Sequence, residues 1–202
     1  MRTGKLTQTA WQRSVRRQLR TKRDEVISVP SPYENCSGIR TENGAEFIWA
    51  DACSAGNGAK TGFYAVIHAA GDLAAKGARA AGVSVRVMLP EGAEEDLLRD
   101  IAGEAERACA RMNIQITAFQ GEVAMAAAQP IIYACAAGVR ENIPCRDAEQ
   151  QTAESGSGTE LLMCGYAGLE GTLRILSESR ADVFRLPVRE AGAGLPFFMV
   201  LR

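Results

Sequence analysis

Asp72 is the residue of this chain with the clearest potential for chemistry, because it is the one carboxylate in a long run of mostly small and apolar residues. The run, residues 61–87, reads TGFYAVIHAAGDLAAKGARAAGVSVRV. A helix that is apolar nearly all round is a buried helix, and a carboxylate on such a helix requires a metal ion, a cation or a hydrogen-bond donor. The pattern therefore predicts that Asp72 meets one of these three partners.

His68 and the cysteines are the other residues that could bind a metal. His68 precedes Asp72 by one helical turn, so the two can share a helix face, although a hydrogen-bonded core histidine is the plainer interpretation. It is the single histidine, and no CxxC pair occurs, which disfavours a zinc site and favours buried free thiols. The cysteines are Cys36, Cys53, Cys109, Cys135, Cys145 and Cys164.

Local sequence patterns predict the elements that must position Asp72. They predict helices at residues 5–23, 61–76, 93–112 and 168–179, strands at 46–52, 82–89, 114–119, 130–139 and 160–164, a loop at 31–44, and a final strand in PFFMVL. This mixed order predicts an α+β domain, with a largely antiparallel sheet and helices on one face. A Rossmann domain is disfavoured because no GxGxxG follows a strand, and the P-loop pattern is absent.

Composition sets the broad class of the protein. The 202 residues suffice for one domain, or one domain plus a fragment, and 47% hydrophobic with 23% charged residues is ordinary globular composition. No run reaches the roughly 18 apolar residues that a membrane span needs, and no secretory signal pattern follows the basic N-terminus. We expect a soluble cytoplasmic protein that does not bind membranes.

The N-terminal region is basic, because eight lysine and arginine residues precede the first acid, Asp24. Such an arm can bind nucleic acid or another anionic partner. The alternative is an amphipathic helix whose arginines face solvent while Trp11, Val15 and Leu19 face the body of the protein. We favour this alternative, because no nucleic-acid recognition motif accompanies the charge.

Several motifs in order resemble the aminoimidazole ribonucleotide (AIR) synthetase-related, PurM-like superfamily. That superfamily includes selenophosphate synthetase, thiamine monophosphate kinase and a hydrogenase maturation factor. The opening MRTGKLTQTAWQRSVRRQL resembles an uncharacterised branch, and AAGDLAAKGAR resembles the superfamily's acid-bearing helix. LPEGAEEDL, FQGEVAMAAAQPII and MCGYAGLEGTLRIL resemble the segments that follow, so the resemblance covers about residues 1 to 180.

The resemblance implies a fold, a cofactor and a set of acids. The fold would be a four-stranded, mostly antiparallel sheet with helices on one face, forming a homodimer through the β-sheet. ATP and Mg²⁺ would bind at the dimer groove, since magnesium prefers carboxylate oxygens and water. Asp51, Asp72 and Glu122 match the family's acidic positions as magnesium ligands, and Gly71, Asp72 and Gly121 would contact the cofactor. Asp51 could instead cap a turn, and Glu122 could simply lie at the surface.

Two departures from the family pattern argue against full activity. The segment YENCSGIR carries Asn35 where an acid is expected, and only about 45 residues follow Gly158. We therefore expect an N-terminal basic helix at 1–30, a PurM N-terminal-like domain at 31–140, a linker at 141–158 and a truncated second-domain remnant at 159–202. The favoured function is a degenerate paralogue that binds ATP with magnesium, or another small anion. The alternatives are an active phosphoryl-transfer enzyme and a partner or nucleic-acid binder; catalytic residues and substrate stay unassigned.

Overall fold

A computed structural model of the chain describes residues 4–140 and 168–171. The strands in this part are β1 (Cys36–Arg40), β2 (Glu46–Ala55), β3 (Arg79–Leu89), β4 (Gln115–Val123) and β5 (Ile131–Arg140). The helices are α1 (Gln8–Trp11), which continues as a π-helical turn (Gln12–Arg16), α2 (Lys60–Ala75) and α3 (Glu95–Met112). No helix of these described residues is long and apolar enough to cross a bilayer.

The five strands form one sheet in the order β1-β2-β5-β3-β4. Only β3 and β4 pair in parallel, so the predicted α+β class with a mostly antiparallel sheet is confirmed. The predicted number of four strands is wrong by one, because the predicted loop at 31–44 contains β1. The small residues Ser37 and Gly38 give this segment no strand pattern in the sequence. The strand forms because it pairs with β2 across a tight turn, in which Gly44 adopts a φ of +84°.

Helix α2 lies where the apolar run predicted it, and most of its residues are buried. Its alanines and glycines allow α3 to approach closely: a Cβ on Gly62 would lie 2.4 Å from the carbonyl oxygen of Ile101. Helix α3 buries one stripe, which includes Ile101 and Ala105, and ends at Asn113 in the left-handed conformation. The two helices therefore pack as one layer against the sheet.

Among the described residues, the helices cover one face of the sheet and no helix covers the other. Along β3, alternate side chains such as Val83, Val85 and Val87 enter the core, as expected for a strand with one buried face. The opposite face carries exposed or half-buried side chains along β2 and β5, and we call it the open sheet face. It consists of Phe47, Trp49, Asp51, Cys53, Tyr133, Cys135 and Val139.

Several predicted boundaries and environments differ from the structure. The N-terminal helix covers residues 8–16 rather than 5–23, because a short helix with little tertiary packing is marginal in water. Cys36 and Cys109 are buried free thiols as predicted, whereas Cys53 is exposed. The predicted linker at 141–158 and most of the predicted remnant at 159–202 lie outside the described residues, as does the final strand.

Candidate functional site

Asp72 lies in a group of polar residues between the end of α2 and the segment before β1. We call this group the α2–β1 polar cluster; it consists of Glu34, Asn35, Cys36, Asp72 and Lys76. The Asn35 side-chain amide donates to Asp72 Oδ1 over 3.1 Å. The Cys36 thiol donates to the backbone carbonyl of Asp72 over 3.2 Å. The predicted partner of Asp72 is therefore a neutral hydrogen-bond donor within the described residues.

Lys76 and Glu34 form the charged half of this cluster. Lys76 Nζ donates to Glu34 Oε2 over 2.5 Å, and the Cys36 backbone N–H donates to Glu34 Oε1 over 3.0 Å. Partial burial opposes ionisation of Glu34, but the hydrogen bonds from Lys76 and Cys36 outweigh it and hold its pKa below the ordinary value. Burial, together with the nearby Glu34 and Asp72 carboxylates, raises the pKa of the Cys36 thiol. Cys36 therefore stays a neutral thiol at physiological pH.

A cleft adjoins the α2–β1 polar cluster. It has a volume of about 240 Å³ and lies between the N-terminal helical region and residues 28–37. Trp11, Val15 and Leu19 line one wall, while Glu34 and Cys36 contribute to the other. Trp11 and Val15 of the first helical region thus face the body of the protein as predicted, whereas Leu19 lies beyond the end of that region and is 51% exposed. An apolar wall beside a few polar groups is a typical composition for a small-molecule site.

Asp51 is far from this cluster, on the open sheet face. It was predicted near the end of its strand, but β2 continues to Ala55 and places Asp51 within the strand, in register with Cys135 of β5. Burial, and then a hydrogen bond with Asp51, raise the pKa of Cys135 to about 11. The neighbour of Asp51 is thus a protonated thiol. The alternative of a turn cap is excluded, since Asp51 lies inside the strand.

Glu122 was predicted in a loop, but it is an exposed residue of β4. Strands β5 and β3 separate β4 from β2, so Asp51 and Glu122 are at least about 14 Å apart, three strand spacings. Asp72 lies in the helix layer on the other side of the sheet. One chain therefore does not bring the three predicted acids together.

The described side chains do not form a magnesium site. Within residues 4–140 and 168–171, no group of three or more histidine, cysteine, aspartate or glutamate side chains is placed to hold a metal ion. The α2–β1 polar cluster offers two carboxylates, one of which binds Lys76. These donors do not fit a Mg²⁺ site within a single chain.

The predicted cofactor glycines are both exposed and have free space around them. Gly71 immediately precedes Asp72 on α2, and Gly121 immediately precedes Glu122 on β4. A Cβ added at either position would contact nothing within 4 Å. Gly71 therefore adjoins the α2–β1 polar cluster and Gly121 does not, and the role of each in binding a cofactor stays a prediction.

His68 does not join the α2–β1 polar cluster, although it lies one turn before Asp72. Its ring stacks on Tyr64, with the centroids 6.4 Å apart, and its Nε2 lies 3.0 Å from the Glu170 carboxylate. His68 thus connects α2 to residues 168–171. Three residues that pair with the predicted site were not predicted from the sequence: Glu34, Lys76 and Glu170. Only Lys76 had a local signal, because it follows Asp72 by four residues on a helix.

Comparison with known proteins gives one family match and several structural ones. Residues 41–140 match the family described as AIR synthase related protein, N-terminal domain. No curated protein matches the chain. The crystal structure of tt0281 from Thermus thermophilus is 19% identical, covers 55% of this chain and 38% of its own, and has a TM-score of 0.49.

Two further similar structures are described as complexes with nucleotides or nucleotide analogues. AaThiL complexed with AMPPCP and TMP is 12% identical, covering 52% of this chain and 36% of its own with a TM-score of 0.47. Hydrogenase maturation protein HypE in complex with ATP is 21% identical, covering 48% of this chain and 31% of its own with a TM-score of 0.42. This chain thus spans well under half of the length of each of these three proteins.

Proposed function

Because this chain belongs to the AIR synthase related family, whose N-terminal domain it carries at residues 41–140, we propose that it is a non-catalytic member that binds a small anionic ligand. ATP is the first candidate, because the family resemblance implies it. The proposed site is the α2–β1 polar cluster with its adjoining cleft, which lies on the helix side of the sheet. Phosphoryl transfer is not part of the proposal.

The hydrogen bond between Asn35 and Asp72 is the observation that carries this proposal. Phosphoryl transfer requires divalent cations that neutralise the charge of the triphosphate, and those cations require several carboxylate oxygens. Asn35 stands where the family pattern has an acid, and its amide donates to the carboxylate of Asp72. The position thus supplies no negative charge and occupies an oxygen that a cation would need.

The charges of the cluster also bear on the expected affinity. Glu34 and Asp72 carry two negative charges and Lys76 one positive charge, so the cluster alone repels a triphosphate. A nucleotide must therefore rely on contacts with the cleft walls, or bring a cation with it. We expect a dissociation constant on the order of 1 mM, far weaker than that of a dedicated cofactor site.

A thermal-shift titration with ATP tests ligand binding. At a concentration about five times the dissociation constant, linkage predicts about 1 kcal/mol of stabilisation and a rise in Tm of roughly 3 °C. The Asp72→Asn variant should lose the part of the shift that depends on Mg²⁺. Asp100→Asn is the matched control, because Asp100 is an exposed acid on α3. Absence of any shift at 10 mM ATP, with or without Mg²⁺, would reject the nucleotide.

The variant Asn35→Asp tests whether the missing acid at position 35 weakens ATP binding, because it adds a carboxylate where Asp72→Asn removes one. It returns the acid that the family pattern has, so it should make ATP binding tighter and more dependent on Mg²⁺. A phosphate-release assay on both proteins then separates binding from catalysis. Release by the unaltered chain above the background of a heated sample would support the active enzyme and contradict the non-catalytic proposal.

The open sheet face supports the homodimer in this proposal. Phe47, Tyr133 and Val139 on this face are 39%, 46% and 47% exposed, and the ring of Phe47 lies tilted against that of Trp49 with the centroids 6.0 Å apart. An apolar surface of this kind on the central strands of a sheet is typical of an interface.

Light scattering should therefore give about twice the 21.6 kDa mass of one chain. The double variant Phe47→Lys, Tyr133→Lys should shift the protein to monomer, because two desolvated charges oppose association. Val29→Lys is the control, since Val29 is equally apolar and 78% exposed but lies outside the sheet. A monomer at 100 µM before any substitution contradicts the dimer while leaving the ligand test intact.

A further inference from the structure

The arginines of the N-terminal helical region line a surface cleft of their own. This region, residues 8–16, consists of helix α1 and the π-helical turn that continues it. Gln12, Arg13, Arg16 and Arg17 are all exposed and line a cleft of about 380 Å³, which we call the arginine cleft. Each guanidinium group presents a planar fork of N–H donors that matches phosphate oxygens. Three such groups around one cleft therefore provide the donors of a phosphate-binding site.

The opposite face of the same helical region is apolar and faces the protein. The Thr7 hydroxyl oxygen caps the start of α1, because it accepts a hydrogen bond from the Ala10 N–H over 3.3 Å. Trp11 and Val15 are half-buried and face residues 28–37 across the cleft beside the α2–β1 polar cluster. The helical region thus presents its apolar residues to the body of the protein and its arginines to solvent.

Like charges are close together on the arginine face. Arg13 precedes Arg16 by three residues and Arg17 by four, and side chains at these spacings are neighbours on a helix. No acid occurs among the first 23 residues to balance them. Like-charged neighbours destabilise a helix, and the helix predicted to continue to residue 23 ends at Arg16. A bound anion would remove this repulsion.

The π-helical turn is a second indication of function. Such turns are rare, and they occur frequently at functional sites. This turn runs from Gln12 to Arg16 and therefore contains three of the four residues that line the arginine cleft. The end of a helix carries a partial negative charge of about one half, which three guanidinium groups exceed. The field in the arginine cleft is therefore positive.

We propose that the arginine cleft binds a small oligophosphate, a chain of two or three phosphate groups. Adjacent anionic groups can engage several guanidinium forks at once, whereas a single carboxylate engages one. A volume of about 380 Å³ lies within the usual range for small-molecule sites, about 300–1,000 Å³. The phosphate chain can belong to an inorganic oligophosphate or to a nucleotide. This site does not rest on the function proposed above, because it lies on the other face of the N-terminal helical region.

Binding should extend the N-terminal helix. Leu19 continues the apolar spacing of Trp11 and Val15 beyond Arg16, but it is 51% exposed. Once an anion neutralises the arginines, the helix should continue through residues 17–23 and turn Leu19 toward the body of the protein. Hydrogen exchange measured by mass spectrometry should then show the amides of residues 17–23 exchanging about fivefold or more slowly with saturating tripolyphosphate, while the amides of β2 keep their rates.

Isothermal titration calorimetry of the full chain with sodium tripolyphosphate, in the absence of Mg²⁺, tests the site. We expect a dissociation constant on the order of 0.1 mM at low salt, which rises as salt screens the charges. Arg16→Gln should weaken binding about tenfold, because it removes a charge-assisted hydrogen bond. Arg16→Lys keeps the charge but loses the planar fork, so it should also weaken binding. Arg99→Gln is the matched control and should bind normally, since Arg99 is an exposed arginine that pairs with Asp96 on α3.

Further titrations identify the ligand and separate the two proposals. Asp72→Asn should bind tripolyphosphate as the unaltered chain does, and a preference for tripolyphosphate or for ATP shows which source supplies the phosphates. Absence of heat at about 2 mM tripolyphosphate, or equal losses in Arg16→Gln and Arg99→Gln, would overturn the arginine cleft and leave the Mg²⁺-dependent ATP test intact. A single-stranded oligonucleotide that binds about tenfold more tightly than tripolyphosphate would also overturn it, because the occupant would be nucleic acid.

Discussion

Replacing Gly62 by alanine is expected to lower the free energy of unfolding by about 3 kcal/mol, near the upper end of the usual cost of overpacking a core. Gly62 lies in α2 at its contact with α3, where a Cβ would come within 2.4 Å of the Ile101 carbonyl oxygen and 3.2 Å of its Cγ2. The obstructing atom belongs to the backbone of a helix whose own residues are buried in the core. Helix α3 must therefore move away from α2, which opens the layer that covers the sheet.

Gly71 provides a matched control on the same helix. It is exposed, and a Cβ there would meet nothing within 4 Å. Gly71→Ala should stabilise the protein by about 0.5–1 kcal/mol, because alanine restricts the unfolded chain and favours helix. Urea denaturation followed by far-ultraviolet circular dichroism measures both variants. Similar midpoints for Gly62→Ala and the unaltered chain would contradict the close packing of the two helices.

Replacing Glu46 by glutamine is expected to cost about 1–3 kcal/mol at pH 7, as for other hydrogen bonds between charged groups. Glu46 is 8% exposed, and its carboxylate accepts hydrogen bonds from Arg40, over 2.9 Å, and from Arg140. The three residues join β1, β2 and β5 at one end of the sheet. Both arginines are partly exposed, so solvent reduces the loss below that of a fully buried pair.

The effect of Glu46→Gln should depend on pH. The hydrogen bond from Arg40, followed by that from Arg140, holds the pKa of Glu46 below its ordinary value of 4.5 despite burial. A carboxyl group whose pKa is lower in the folded than in the unfolded protein stabilises the fold at any pH above its unfolded-state pKa. This stabilisation is lost as the pH falls through the folded-state pKa. The difference in the free energy of unfolding between the unaltered chain and Glu46→Gln should therefore be largest at pH 7 and shrink below about pH 4.

Asp96→Asn is the control for this charge effect. Asp96 pairs with Arg99 on the surface of α3, and both side chains are more than two-thirds exposed. Exposed pairs contribute little, so Asp96→Asn should change stability by less than about 0.5 kcal/mol. Equal effects of Glu46→Gln and Asp96→Asn, or an effect of Glu46→Gln that is constant from pH 3 to pH 7, would show that the Arg40–Glu46–Arg140 group is not a stabilising unit.

The sequence by itself determined the main elements of this protein. The small and apolar run predicts α2, the alternating valines predict β3, and the amphipathic stripe through Ile101 predicts α3, all within a few residues of their observed bounds. Motifs in order were enough to indicate the family that residues 41–140 confirm. These features are local, because a helix or a half-buried strand repeats its pattern within its own length.

Only the tertiary structure decided which residues meet. Asn35 and Asp72 are 37 residues apart in the chain and join because β1 pairs with β2 beside the end of α2. The same pairing makes a strand of residues that carry no strand pattern. The length of β2 places Asp51 inside a strand rather than near its end, and the length of β4 places Glu122 in a strand rather than in the loop after it. Contacts between distant segments depend on strand order and register, which no local periodicity encodes, so the sequence identified Asp72 but not its neighbours.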